Sequence, residues 1–161
     1  MQQVITEAKG FDLLTMGRPE GPKCYCAANH VLRKFIDQLA DQYGYVVIDN
    51  EAGMEHLSRR TTNNVDLMLI VSEPTAVGKM TVKRIAQLAQ ELPISVKKTA
   101  VLWNKTEGPD NLDDIKVLGT VAYDEDVYEA AVNGKTIFDL DDNNAALSTI
   151  LEVLKQKSIT N

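Results

Sequence analysis

Short apolar runs alternating with stretches of helical period constrain this chain more than any other feature. Leu67-Met68-Leu69-Ile70-Val71 and Thr99-Ala100-Val101-Leu102-Trp103 are nearly unbroken apolar runs, the pattern of strands buried on both faces. Between them Thr81, Ile85, Leu88 and Leu92 recur at helical spacing until Pro93 ends the helix. Residues 117–123 form a further strand, and Asp124-Glu125-Asp126 then place acids where a helix N-terminus favours them. Asn133-Gly134 ends that helix, and an amphipathic helix through Leu147, Ile150, Leu151 and Leu154 follows. Upstream, residues 11–16 are a short apolar run ended by the loop Gly17-Arg18-Pro19-Glu20-Gly21-Pro22. Val31, Leu32, Phe35, Ile36, Leu39 and Tyr43 mark a helix starting at Ala28 and stopped by Gly44. A strand over residues 45–49 and a short helix over 54–62 come next. Such alternation predicts an α/β fold, a mostly parallel sheet with helices on both faces. No repeat or linker interrupts it, so residues 1–161 read as a single domain.

Charge narrows the partners. The formal net charge is -6, with acids spread along the chain, which argues against nucleic acid or an anionic membrane as a main partner. No run has the length of a membrane span, and the first residues lack the basic and apolar regions of a signal peptide. A cytoplasmic protein is expected. Cys24 and Cys26, the only two cysteines, are too close for an unstrained bridge. In a reducing compartment they read as metal ligands or redox thiols, or as two small inert residues.

Tyr45-Val46-Val47-Ile48-Asp49-Asn50-Glu51-Ala52-Gly53 is the segment closest to chemistry. A strand through the core delivers Asp49 to the carboxyl edge of the sheet, where a carboxylate can hold Mg²⁺ and Gly53 can let backbone approach a phosphate. Any buried parallel strand that ends in Asp and a glycine turn looks the same. The pattern is that of a Walker B strand and switch loop, yet G-x-x-x-x-G-K-[ST] is nowhere in the 161 residues. Gly134-Lys135-Thr136 has Glu129 where the first glycine belongs and follows a helix rather than a strand. Gly78-Lys79-Met80 lacks both the earlier glycine and the hydroxyl. Both are decoys.

The CxC segment at Cys24-Tyr25-Cys26 and the run Asp49-Asn50-Glu51-Ala52-Gly53-Met54-Glu55-His56-Leu57-Ser58-Arg59-Arg60 together resemble the CooC-type accessory ATPases that insert nickel into carbon monoxide dehydrogenase. These are members of the MinD and nitrogenase-iron-protein group of P-loop ATPases. The resemblance runs from about Phe11 to the C-terminus. It implies a P-loop-NTPase-like sheet without its phosphate-loop strand, an incomplete domain matching the C-terminal portion of such an enzyme. It also implies ATP or ADP with Mg²⁺ as cofactor, with Asp49 and Gly53 at the catalytic end. Asn104-Lys105 matches the family's asparagine motif that contacts adenine, and Val121-Ala122-Tyr123-Asp124 resembles its I-P-Y-D loop, with Ala122 in place of proline. On residues alone, the reading preferred for Asn104 is a loop asparagine turning its own backbone. The resemblance further implies Ni²⁺ or Zn²⁺ held by Cys24 and Cys26 across a homodimer, with carbon monoxide dehydrogenase as partner. His30 and His56 read as ordinary structural histidines, and Arg59 and Arg60 suit either a partner contact or solvent.

Two functions of different class follow. One is the C-terminal part of an ATP-dependent nickel metallochaperone, inactive as an ATPase without the phosphate loop. The other is a metal-binding and dimerising module with no nucleotide role. A flavodoxin-like or receiver domain fits the sheet pattern but leaves the cysteines and Asn104 unexplained.

Overall fold

The computed structural model describes residues 5–15, 36, 42–50, 64–92, 94–108, 110–112 and 114–155. Cys24, Cys26, Gly53, His30, His56, Arg59, Arg60, the helix expected over 54–62 and nearly all of that over 28–43 lie outside them. The chain divides into two compact units, Met1–Tyr45 and Val46–Asn161.

In the first unit, β1 (Ile5–Ala8) and β2 (Phe11–Leu14) pair antiparallel, Ile5 opposite Leu14 and Ala8 opposite Phe11. The apolar run beginning at Phe11 is therefore half of a hairpin, not a member of a parallel sheet. Lys9-Gly10 leaves room only for a two-residue turn, and Gly10 adopts φ 92°, a conformation that glycine takes without strain. The Tyr43 hydroxyl donates to Asp12, which raises the tyrosine's pKa.

The second unit is built on three parallel strands in the order β3 (Asn64–Ser72), β4 (Ser95–Asn104) and β5 (Lys116–Val121). Helix α1 (Ala76–Glu91) connects β3 to β4. After β5 come α2 (Glu125–Val132), a 3₁₀ turn (Ile137–Asp139) and α3 (Ala145–Lys155). The fold is α/β, a parallel sheet covered by helices, as the alternating pattern dictates.

Side chains divide by alternation. Met68, Ile70, Val101, Trp103 and Val117 face α1 and surround Val82, while Leu67, Leu69, Ala100, Leu102 and Leu118 lie on the side of Ala146 and Val153 of α3. Central β4 has Ala100, Val101, Leu102 and Trp103 buried in succession, which explains why it reads as an unbroken apolar run. Val82, Val101 and Trp103 are fully buried. Each such valine stabilises the fold by about 1.5–3 kcal/mol relative to exposure. A register shift between Val101 and Leu102 places Gly119 opposite Leu102, beneath α3. A Cβ at Gly119 would stand 2.7 Å from the Val153 side chain, so the absence of one lets α3 lie close.

Residues 45–49, expected as a strand, form none. Tyr45 and Val47 are 81% and 91% exposed. A strand exists through its ladder, and no described strand runs beside this segment. Among the described residues its apolar pattern therefore gains neither a ladder partner nor cover.

Candidate functional site

The carboxyl ends of β3, β4 and β5 open onto three loops, the place where parallel α/β sheets bind ligands. Ser72 is registered against Trp103, and Asn104 against Val121. Glu73, Asn104 and the segment Ala122-Tyr123-Asp124 therefore stand in a row along one edge.

The first loop, Glu73-Pro74-Thr75, enters α1 sharply. Thr75 caps the helix, its hydroxyl accepting from the Gly78 backbone N–H at 3.0 Å. The turn is so tight that a Cβ at Gly78 would lie 2.0 Å from the Glu73 carbonyl oxygen. This close approach, rather than phosphate binding, accounts for Gly78. Lys79 is likewise engaged, 2.6 Å from the Asp110 carboxylate.

The second loop follows β4. Asn104 accepts the Lys105 backbone N–H through its side-chain oxygen at 3.0 Å, so it does turn its own backbone and keeps its amide nitrogen as a donor. Lys105 has φ 55°, the left-handed region, and is alone in this among the described non-glycine residues. Its ammonium meets Glu73 at 3.2 Å. The loop is tied down at three further points. The Thr106 backbone N–H donates to the Val121 carbonyl at 3.0 Å. The Trp103 indole donates to the Asp110 carbonyl at 2.6 Å, and Leu112 is buried against the α1 side of the sheet.

The third loop carries Tyr123 and Asp124. Tyr123 is 51% exposed, its ring 6.1 Å from that of Tyr128. Partial desolvation, followed by the Glu125 charge, raises its pKa, so the phenol stays neutral. Asp124 caps α2, accepting from Val127 N–H at 3.0 Å and from the amide of buried Asn144 at 3.0 and 3.1 Å. Those donors, the Val127 backbone first and Asn144 second, hold its carboxyl below the usual carboxylate range. Asp124 thus locks α2 to the start of α3 and fixes the Tyr123 loop from behind.

The structure thus brings together Asn104, Lys105, Tyr123 and Asp124. Asp49 lies in the exposed segment before residue 51 and makes no ion pair with any described residue. Glu73, Thr75, Asp110 and Asn144 escaped the sequence reading. Thr75 could have been found as a cap preceding the helix, whereas the Asp110 and Asn144 partnerships are tertiary and leave no local signal. Gly134, at φ 67°, terminates α2 after its Asn133 cap, which settles its reading as a helix stop. Among the described residues no group of three or more His, Cys, Asp and Glu side chains could hold a metal ion.

An edge offering an amide, an ammonium paired with a carboxylate, and a half-exposed aromatic ring suits a planar, hydrogen-bonding heterocycle. Known proteins to which this chain is similar include ATP-binding ones. An uncharacterized ATP-binding protein of Methanocaldococcus jannaschii is 40% identical over 162 residues, covering 96% of this chain and 64% of that protein. The carbon monoxide dehydrogenase accessory protein CooC of Rhodospirillum rubrum is 30% identical over 166 residues, covering 94% of this chain and 62% of its own. The septum site-determining protein MinD of Bacillus subtilis is 23% identical over 152 residues, 85% of this chain and 56% of that protein. The chain is similar to ATP-binding proteins and to CooC and MinD. It spans a little under two thirds of the length of the first two relatives, at 64% and 62%. No family model and no solved structure matches it. Among the described residues no helix is long and apolar enough to cross a membrane.

Proposed function

We propose that this chain forms the base-binding end of an ATP-dependent metallochaperone of the kind that serves carbon monoxide dehydrogenase. The observation that carries the reading is the row formed by Asn104, Lys105 and Tyr123 on adjacent strand ends, in a chain 30% identical to CooC over 94% of its length. In this reading the Asn104 amide donates to the adenine edge and the Tyr123 ring packs on its face. The Lys105–Glu73 ion pair ties this loop, at its left-handed turn, to the end of β3. Asp49 and Gly53 belong to the Mg²⁺ and phosphate end of the same site. Cys24 and Cys26 hold nickel, or zinc in its place, and a second copy supplies the remaining two thiolates. The carbon monoxide dehydrogenase receives the metal.

Hydrolysis in such a scheme is phosphoryl transfer to water, stabilised by a phosphate loop and its lysine. This chain has no G-x-x-x-x-G-K-[ST] motif and is expected to show no appreciable ATP turnover by itself. The test titrates nickel and zinc into wild type and into Cys24→Ser/Cys26→Ser, with nucleotide binding measured on the same samples. The proposal expects metal binding lost in the variant and nucleotide binding retained in both. Metal binding without any nucleotide signal would replace it with a dimerising metal module, and metal binding unaffected by the serines would remove the cysteine site.

A further inference from the structure

A second surface lies along α2 and the 3₁₀ turn, meeting the nucleotide edge only where the Tyr128 ring stands 6.1 Å from that of Tyr123. Tyr128, Val132, Ile137 and Phe138 are all exposed there, Phe138 to 87%. Tyr128 and Val132 are one helical turn apart and share an exposed face of α2, while the 3₁₀ turn meets the helix on the side of Asp126 and Ala130. Phe138 is exposed yet its backbone is fixed. Thr136 donates from both its N–H and its hydroxyl to the Asp139 carboxylate, at 2.8 and 2.9 Å, and so pins the turn that carries the ring. With the backbone of the turn already held, less backbone entropy is lost when something covers the ring.

On the neighbouring face of α2, next to Val132 across Glu129 and next to Phe138 through Asp139, lies a recess of about 300 Å³ whose lining includes Asp126, Glu129, Asp139, Asp141 and a single lysine, Lys135. None of the residues assigned to the nucleotide edge lines it. Four carboxylates against one ammonium leave the recess negative. The Thr136 N–H and hydroxyl hold Asp139 below the usual carboxylate range, so that charge persists into mild acid. The combination selects its occupant. An anionic membrane or nucleic acid would be repelled, and an uncharged apolar chain would leave the recess unmatched. A segment with apolar side chains on one side and lysine or arginine on the other satisfies both halves.

We propose that this face docks a basic, amphipathic segment of a partner protein, its apolar side on Phe138 and Val132 and its cationic side chains in the acidic recess. The test adds a synthetic amphipathic helix of leucine and lysine to the isotope-labelled full chain and follows amide shifts. A leucine–glutamate helix of the same pattern is the control. Expected are shifts centred on residues 126–141 with the lysine peptide, none with the glutamate peptide, and weakening at higher salt. Phe138→Ser should raise Kd about tenfold, in the range of a modest anchor residue. Asp126→Asn/Glu129→Gln should weaken binding and flatten its salt dependence, while Glu91→Gln, a charge change on α1, should alter neither. Circular dichroism checks that each variant is folded. Equal binding of both peptides, shifts centred elsewhere, or wild-type affinity in Phe138→Ser and in Asp126→Asn/Glu129→Gln would overturn the proposal. So would self-association through this face with no peptide binding, since the occupant would then be a second copy.

Discussion

Replacing Gly78 by alanine sets two effects of opposite sign against each other. Helix propensity alone favours the change by about 0.8–1 kcal/mol, because glycine is the costlier residue inside a helix. The structure opposes it. The new Cβ would stand 2.0 Å from the Glu73 carbonyl oxygen, a backbone atom. Carbon–oxygen contacts of even the closest favourable kind lie at about 3.3–3.6 Å, so the loop or the helix end must retreat by more than about 1 Å. That retreat works against the Thr75 cap on the Gly78 N–H and the Lys79 N–H bond to the Thr75 carbonyl at 2.9 Å. Overpacking of this kind costs about 1–3 kcal/mol, and a strained or lost cap adds about 0.5–2 kcal/mol. Less the propensity gain, Gly78→Ala should destabilise the protein by about 0.5–4 kcal/mol. Urea unfolding followed by far-ultraviolet circular dichroism reads this directly as a lower midpoint at unchanged slope. Thr75→Ala/Gly78→Ala should cost less than the sum of its singles, since the cap would already be gone. A Gly78→Ala protein as stable as wild type, or more stable, would refute the close approach and with it the geometry of the β3–α1 loop.

Three other outcomes are expected. Trp103→Phe removes the donor to the Asp110 carbonyl and leaves space in the core, and should cost about 2–4 kcal/mol while raising hydrogen exchange in residues 105–112. Gly119→Ala should destabilise through its 2.7 Å encounter with Val153, and Val153→Ala in the same chain should recover part of the loss, measurable as coupling in a double-mutant cycle. Asp124 has a folded-state pKa below its unfolded value, so its contribution is fully present above the ordinary carboxylate value of about 3.9 and is lost as pH falls through the depressed one. Asp124→Asn should therefore lower Tm at neutral pH and narrow the gap from wild type in strong acid, read from Tm against pH.

Much of the second unit was legible because its signals are local. Unbroken apolar runs marked β3 and β4, Pro93 marked the end of α1, and acids followed by Asn133-Gly134 bracketed α2. The same logic failed at residues 45–49. An apolar run ending in Asp specifies a strand only if neighbours complete its ladder, and that condition is not written in the run itself. The antiparallel pairing of residues 11–14 was missed for a related reason. It depends on the two-residue turn at Lys9-Gly10 and on Ile5–Ala8, which carries little strand pattern alone. At the candidate site, Asn104 and Tyr123 could be named from their motif. The structural duty of Asp124 could not, since its partner Asn144 is remote in sequence, and Glu73 acquires a role only once β3 and β4 are in register.

The central claim is that the carboxyl edge of β3, β4 and β5 holds the base of a nucleotide. Titrating adenosine, then ADP, into the isotope-labelled chain tests it most directly, because the base alone needs no phosphate loop. Saturable amide shifts centred on Glu73, Asn104, Lys105 and Tyr123 are expected, weakened by Asn104→Ala. No shift at millimolar adenosine, or shifts centred away from these residues and unchanged by Asn104→Ala, would contradict it.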